Sequence, residues 1–385
     1  MAFFGGQRLL AGTASPLPSA TLPPQVLTTP TPSPTPRPTN TPLPTDTPVP
    51  TPTPEPTENT ESQAAAVQPT DTPVPTPDIP VIGGADKLAF VNAGDVWIAN
   101  MDGSDALQLT FSGGSKTSLQ WTPDGQSVMF ITGRCVLAVD INSRQVRTLF
   151  CANWSDYLGA FEISPDGQQV AVSMSDGFFI LPYDLQAIGK IQTRQQLDAA
   201  NKCIAYTEQP AKMARWSQDG KQLAVVTVVT QSGRQVDMVK IFDVSRCGAP
   251  PIRVDEFPGE RFTMKRYSVS PYIVDFAWNG NDLFALAVNN LNDFGEIYIY
   301  NATQKKAEVK APVGRCCYRG FRWSPDGNYF LFAFQDSRFG KGAKLYYIIY
   351  GTIDAGGNLQ PIPLPEELLL GAKENPQPAL RPYKP

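Results

Sequence analysis

Leu119-Gln120-Trp121-Thr122-Pro123-Asp124-Gly125, Phe161-Glu162-Ile163-Ser164-Pro165-Asp166-Gly167, Ala214-Arg215-Trp216-Ser217-Gln218-Asp219-Gly220 and Phe321-Arg322-Trp323-Ser324-Pro325-Asp326-Gly327 are four copies of one pattern. A worn fifth copy is Phe276-Ala277-Trp278-Asn279-Gly280, and a worn sixth is Ala379-Leu380-Arg381-Pro382. The anchor positions 121, 163, 216, 278, 323 and 380 step by about 42, 53, 62, 45 and 57 residues, near or above the length of a four-stranded propeller blade. The motif's chemistry is conformational. Pro sets φ at the first corner, Asp accepts local backbone donors, and Gly supplies the left-handed residue that starts the returning strand.

Apolar strands follow each turn: Ser127 to Thr132, Gln169 to Met174, Gln222 to Val229, Asp282 to Val288 and Asn328 to Phe334. Third strands run into polar turns at Val136 to Asp140, Val239 to Asp243 and Ile297 to Tyr300, and Val146 to Phe150 reads as an outer strand. Lys87 to Val91, Asp95 to Asn100 and Ala106 to Thr110 then look like the second, third and fourth strands of a blade that lacks its first. Pro378 to Pro382 looks like a first strand with nothing after it. Pairing these two segments completes a sixth blade and removes the exposed sheet edges of an open array. The expected fold is therefore all-β: a six-bladed β-propeller of four-stranded antiparallel blades, closed by its N- and C-terminal strands.

The repeats, together with Asp95-Val96-Trp97-Ile98-Ala99-Asn100-Met101-Asp102-Gly103-Ser104-Asp105 before Leu107-Gln108-Leu109-Thr110, resemble the WD-repeat-like blades of the TolB family of six-bladed propellers. The resemblance runs from about Lys87 to the C-terminus. It implies a fold more than a function, since such propellers bind proteins, glycans or small ligands and also serve as accessory domains of hydrolases and kinases. The sequence departs from the pattern at Gln218, which replaces Pro, in the shortened fifth turn, and in insertions at Gln186 to Gln209 and Val254 to Pro271.

The first fifth of the chain differs in kind. About 21 of the 38 prolines precede Val81, in units such as Thr47-Pro48-Val49-Pro50-Thr51-Pro52-Thr53-Pro54. Proline removes amide donors, and too few apolar side chains remain to offset the entropy of ordering. Residues 15–82 are expected to be a disordered Thr/Pro-rich stalk, and roughly 65 residues of polyproline II would reach on the order of 200 Å. A spacer in the cell envelope and an inter-domain linker of a longer protein both fit it. Residues 1–14 read as a truncated leader, lacking a basic start followed by an apolar core. Residues 83–385 make the propeller.

The net charge of -4 resolves by region. Asp46, Glu55, Glu58, Glu61, Asp71 and Asp78 face only Arg8 and Arg37 before Val81, so the remainder is near neutral. A basic nucleic-acid footprint is absent, and no stretch approaches the roughly 20 apolar residues that span a bilayer. The chain has no histidine, which removes the usual general base, the commonest metal ligand and every Ser-His or Cys-His pair. GxSxG, GxxxxGK[ST] and HExxH are absent too. No catalytic residue, metal or cofactor is expected, and the turn aspartates read as caps rather than calcium ligands.

Six cysteines permit 15 full pairings. Cys135 and Cys151 flank a hairpin centred on Asn142 and Ser143 and are expected to pair; Cys203 with Cys247 is a second expectation, because both lie near blade-connecting loops. Such bridges place the chain in an oxidising, extracytoplasmic compartment. Cys316-Cys317 could form a vicinal bridge, divide between partners or stay reduced.

The segments before each first strand and those between second and third strands emerge on one face around the axis. They carry Trp154 and Tyr157, then Arg266, Tyr267 and Tyr272, then Arg315, Tyr318 and Arg319, and then Arg338, Phe339 and Lys341. Arginine with aromatics is the composition of binding hot spots, so these are the candidate ligand-binding residues for a protein, peptide or glycan at the envelope. A monomeric, non-enzymatic binding or scaffold propeller is expected. An accessory or sensor propeller of a larger hydrolase, lyase, kinase or receptor is the alternative.

Overall fold

A computed structural model describes residues 80–231, 233–257, 272–289, 295–314, 317–335, 342–355, 359–365, 368 and 375–384. The expected leader, and all but the last three residues of the expected stalk, lie outside these. So do Arg266, Tyr267, Arg315, Cys316, Arg338, Phe339 and Lys341.

Blade 1 is built from β1 (Ala85–Asn92), β2 (Asp95–Asn100), β3 (Leu107–Gln108) and the far strand β24 (Ala379–Pro382), in the order β24-β1-β2-β3. Leu88 faces Leu380 and Ala89 faces Ala379 across the antiparallel closure. Blade 2 is β4 (Thr117–Trp121), β5 (Ser127–Thr132), β6 (Cys135–Asp140) and β7 (Val146–Cys151). Blade 3 is β8 (Leu158–Ile163), β9 (Gln169–Met174), β10 (Gly177–Pro182) and β11 (Ile204–Tyr206). Blade 4 is β12 (Ala211–Trp216), β13 (Gln222–Gln231), β14 (Arg234–Asp243) and β15 (Ile252–Phe257). Blade 5 is β16 (Tyr272–Trp278), β17 (Leu283–Asn289), β18 (Gly295–Asn301) and β19 (Lys306–Lys310). Blade 6 is β20 (Tyr318–Trp323), β21 (Tyr329–Phe334), β22 (Lys344–Ile349) and β23 (Gln360–Pro361), and one pairing, Gly295 with Tyr318, joins it to blade 5. The fold is a six-bladed propeller of antiparallel four-stranded blades, as the repeat predicts.

The repeated turn behaves as its residues dictate. Ser164 Oγ donates to Asp166 Oδ1 at 2.5 Å and accepts from the Gln169 amide at 2.9 Å, while Asp166 also accepts from the Gln168 amide at 3.0 Å. The bonds from Ser164 and Gln168 hold the Asp166 carboxyl below its ordinary range. Gly125, Gly167, Gly220 and Gly327 sit at φ of 69°, 72°, 69° and 73°, the left-handed corner each turn needs.

One apolar core lies between each pair of neighbouring blades, and the anchor residue belongs to the interface with the blade before it. Trp121 packs among Val91, Val96 and Val128; Ile163 among Ile131, Phe150 and Phe179; Trp216 among Phe178, Tyr206 and Phe242. Trp278 stacks on Phe284 at 4.8 Å, and Trp323 tilts against Phe330 at 4.9 Å. In the sixth interface the worn anchor Leu380 packs against Leu88, Phe90 and Leu345.

Both insertions differ from their sequence reading. The stretch 186–209 holds most of one helical turn, α1 (Leu185–Ile188), a second helix, α2 (Arg194–Ala199), and then β11, so it carries the outer strand of blade 3. Asp184 caps α1, and Thr193 with Gln196 forms a capping box on α2. The second insertion begins inside β15, whose residues through Phe257 are the outer strand of blade 4. Cys135 faces Cys151 across β6 and β7 and is bonded to it; Cys203 is bonded to Cys247. Cys317 is also in a disulfide.

Candidate functional site

Three parts of the ring are candidates for a site: the rim before the first strands, the lumen between the innermost strands, and a cleft among the repeated turns. At the rim, Tyr272 opens β16 and is half exposed, at 51%. The Lys212 ammonium lies 4.6 Å from the centre of its ring. Lys212 is fixed in turn by Asp237, 2.8 Å from its Nζ, and the other Asp237 oxygen accepts the Ile273 amide at 2.9 Å. Tyr157 stands beside this group: burial, with the negative charges of Asp237 and Asp156, pushes its hydroxyl up to about 12. The Tyr157 hydroxyl and the Trp154 indole N–H are buried without a hydrogen-bond partner. Trp154 packs edge-on to Phe150 at 5.9 Å.

The other expected rim residues that are described lie deeper. Tyr318 is fully buried, accepts the Val313 and Gly314 amides at 3.1 and 3.0 Å, and donates to the Gly314 carbonyl at 2.6 Å. It shapes the loop from inside rather than offering its ring to solvent. Arg319 is 3% exposed and is likewise a buried side chain. Of the expected set, the described rim therefore brings together Tyr157 and Tyr272, with Trp154 packed into the adjoining core. Lys212 and Asp237 were not singled out from sequence, since nothing in a lone lysine and a lone aspartate 25 residues apart signals a pair.

The lumen was not anticipated either. Side chains alternate along a strand, so the residue before each anchor points away from the anchor's interface. Around the ring these are Ala379, Gln120, Glu162, Arg215, Ala277 and Arg322. Arg215 Nη1 bonds Glu162 Oε1 at 2.5 Å, reaching back from blade 4 to blade 3. The Gln120 side chain accepts the Ile163 amide at 3.2 Å. Asp275, at the start of blade 5, binds blade 6 by accepting the Gly320 and Phe321 amides at 2.5 and 3.1 Å. Gly159 marks how close the inner strands come, because a Cβ there would lie 2.0 Å from the Lys212 carbonyl oxygen. The sequence signal was the repeat itself, one position before its anchor.

At the opposite mouth, a cleft of about 590 Å³ lies between the turns Thr122 to Gln126 and Ser164 to Gly167, with Arg381 along one side. Its polar groups are already engaged. Arg381 forks onto Asp86, Nε to Oδ1 at 2.8 Å, and its guanidinium lies 5.3 Å from the centre of the Trp121 ring. Asp124 and Asp166 are spent on their own turns. The cleft offers shape with few free donors, so the rim and lumen carry the stronger chemistry. Among the described residues no group of three or more His, Cys, Asp or Glu side chains is arranged to hold a metal ion, and no helix is long and apolar enough to cross a membrane.

This architecture is that of a six-bladed β-propeller, and within that class its fold is TolB-like. The structure of TolB from Acinetobacter baumannii matches with a TM-score of 0.52 at 15% identity, over 76% of this chain and 66% of that one. The chain thus spans just under two thirds of that protein's length. A putative TolB from Agrobacterium tumefaciens matches at 0.45 and 13% identity, over 72% of this chain and 88% of that one. Kuenenia stuttgartiensis hydrazine synthase matches at 0.42 and 14% identity, over 66% and 70%. No protein-family model matches the sequence. No curated protein matches it.

Proposed function

We propose that this protein is a non-enzymatic binding propeller that works outside the cytoplasm and recognises a protein, peptide or glycan of the envelope through the rim around Tyr272. The observation that carries this reading is the Tyr272–Lys212–Asp237 arrangement. An aromatic ring that is half exposed and yet held against a fixed cation loses little freedom when a partner covers it, which is how binding hot spots gain affinity. Arg266, Tyr267, Arg315, Arg338 and Phe339 belong to the same proposed surface through their place in the repeat. Two disulfides favour an oxidising compartment. Residues 15–82 serve, in this reading, as the spacer that holds the propeller away from its point of attachment.

The test is binding of the full chain to glycan and peptide arrays, followed by Tyr272→Ala and Lys212→Met. A hit whose affinity falls at least tenfold in Tyr272→Ala supports the rim. Equal binding by the wild type and both variants removes it.

A further inference from the structure

We propose that the lumen contains a second site, separate from the rim, for a small oxyanion, either a carboxylate or an inorganic ion such as sulfate, held by the guanidinium of Arg322 with Arg215 as its neighbour. Lys240, as little exposed, bonds the Gln209 side chain, whereas Lys116, Lys212, Arg215 and Arg381 meet the carboxylates of Asp95, Asp237, Glu162 and Asp86. Arg322 does not. Among the described residues its one hydrogen bond to protein runs from Nη1 to the adjacent Phe321 carbonyl at 2.9 Å, which leaves the rest of its donor fork without a partner there.

The two carboxylates whose charge reaches Arg322 are committed elsewhere. Asp275 spends Oδ2 on the Gly320 and Phe321 amides and Oδ1 on the Phe276 amide at 2.8 Å. Glu162 is held by Arg215. Burial pushes the Arg322 guanidinium down to about 10; the positive charge of Arg215 adds to this, and Asp275 and Glu162 oppose it. A group that is desolvated, faces a like charge and has free donors gains on all three counts when an anion arrives. The flat fork of a guanidinium matches the two oxygens of a carboxylate or a sulfate edge better than it matches chloride.

Thermal melting of the full chain, titrated with sodium sulfate or sodium acetate against sodium chloride at matched ionic strength, tests this. A saturable rise in melting temperature with sulfate, acetate or both is expected, and chloride should give none. Response to sulfate alone identifies an inorganic oxyanion; response to acetate identifies a carboxylate ligand. Arg322→Met should weaken the response at least tenfold, and Arg322→Lys, which keeps the charge but loses the fork, should weaken it several-fold. No saturable shift in the wild type overturns the site, as does an equal shift in Arg322→Met. Should the methionine variant fail to fold, unchanged sulfate affinity in Arg322→Lys overturns it instead. Tyr272→Ala should leave the anion response intact, so failure of the rim and failure of the lumen site are separable.

Discussion

The indole Nε1 of Trp216 donates to the main-chain oxygen of Glu162 at 2.8 Å, tying the anchor of blade 4 to the innermost strand of blade 3. Trp121 makes the same bond to the Ala379 oxygen at 3.0 Å, so the joint that closes the ring copies one inside it. At these two joints the tryptophan is thus both a wedge and a tether, whereas the Trp323 indole N–H is buried without a partner among the described residues. Trp278 turns its N–H to the Asn281 oxygen of its own turn instead, in a copy whose turn is worn.

Trp216→Phe keeps most of the wedge and removes the tether, leaving a buried carbonyl short of a donor. A loss of about 2 kcal/mol is expected from urea denaturation, and Trp121→Phe should behave alike. Trp278→Phe should cost less, because the tether it breaks lies within one turn.

The Arg381–Asp86 pair secures β24 on β1 and is largely sequestered. Removing one partner of such a pair strands the other charge, so Arg381→Ala should destabilise by about 3 kcal/mol. Asp86→Asn with Arg381→Gln, which removes both charges, should cost less than either single change. A double-mutant cycle in denaturant reads the difference.

Reduction should separate the Cys135–Cys151 and Cys203–Cys247 disulfides by the loops they close. The Cys135–Cys151 bridge spans 16 residues and the Cys203–Cys247 bridge 44. On the chain-entropy account, Cys135→Ser with Cys151→Ser costs about 3 kcal/mol, and Cys203→Ser with Cys247→Ser about 1 kcal/mol more. Equal losses in the two double variants would refute the ranking.

Alkaline titration should show late tyrosines. Burial is the main cause raising Tyr157, Tyr206 and Tyr298 to about 12, each helped by a nearby carboxylate. Their unfolded value is about 10. The unfolded chain therefore loses protons first, so the stability these groups contribute is intact below about pH 10 and is lost as pH rises towards about 12. Tyrosinate absorbance that develops together with unfolding, rather than before it, is the expected record.

The strands, their turns and the closure were legible because one hairpin device recurs with the same residue chemistry, so each copy dates the next. Ser127–Thr132 and Gln169–Met174 emerge with the boundaries the sequence predicts. The helices of blade 3 were less visible, although Thr193 and Gln196 carry the spacing of a capping box, because an insertion interrupts the repeat that organised everything else. Tyr318 looked like a rim aromatic by its loop position; strand pairing turns it inward, where Phe332 and Phe334 surround it. The lumen pair Glu162 and Arg215 stayed hidden for a different reason. Their partnership joins two neighbouring blades 53 positions apart, and no local pattern encodes which charge meets which.

Asp86 and Arg381 are 295 positions apart, yet the sheet they share must exist before the ring can close. Until β24 is in place, blade 1 has three strands and an open edge. The nascent chain is then a curved ribbon with sticky ends, at risk of pairing with another copy of itself. Long-range closure of this kind is slow, and the waiting time falls before the protein gains its stability. The interval before the latch forms is therefore the stage most open to self-association.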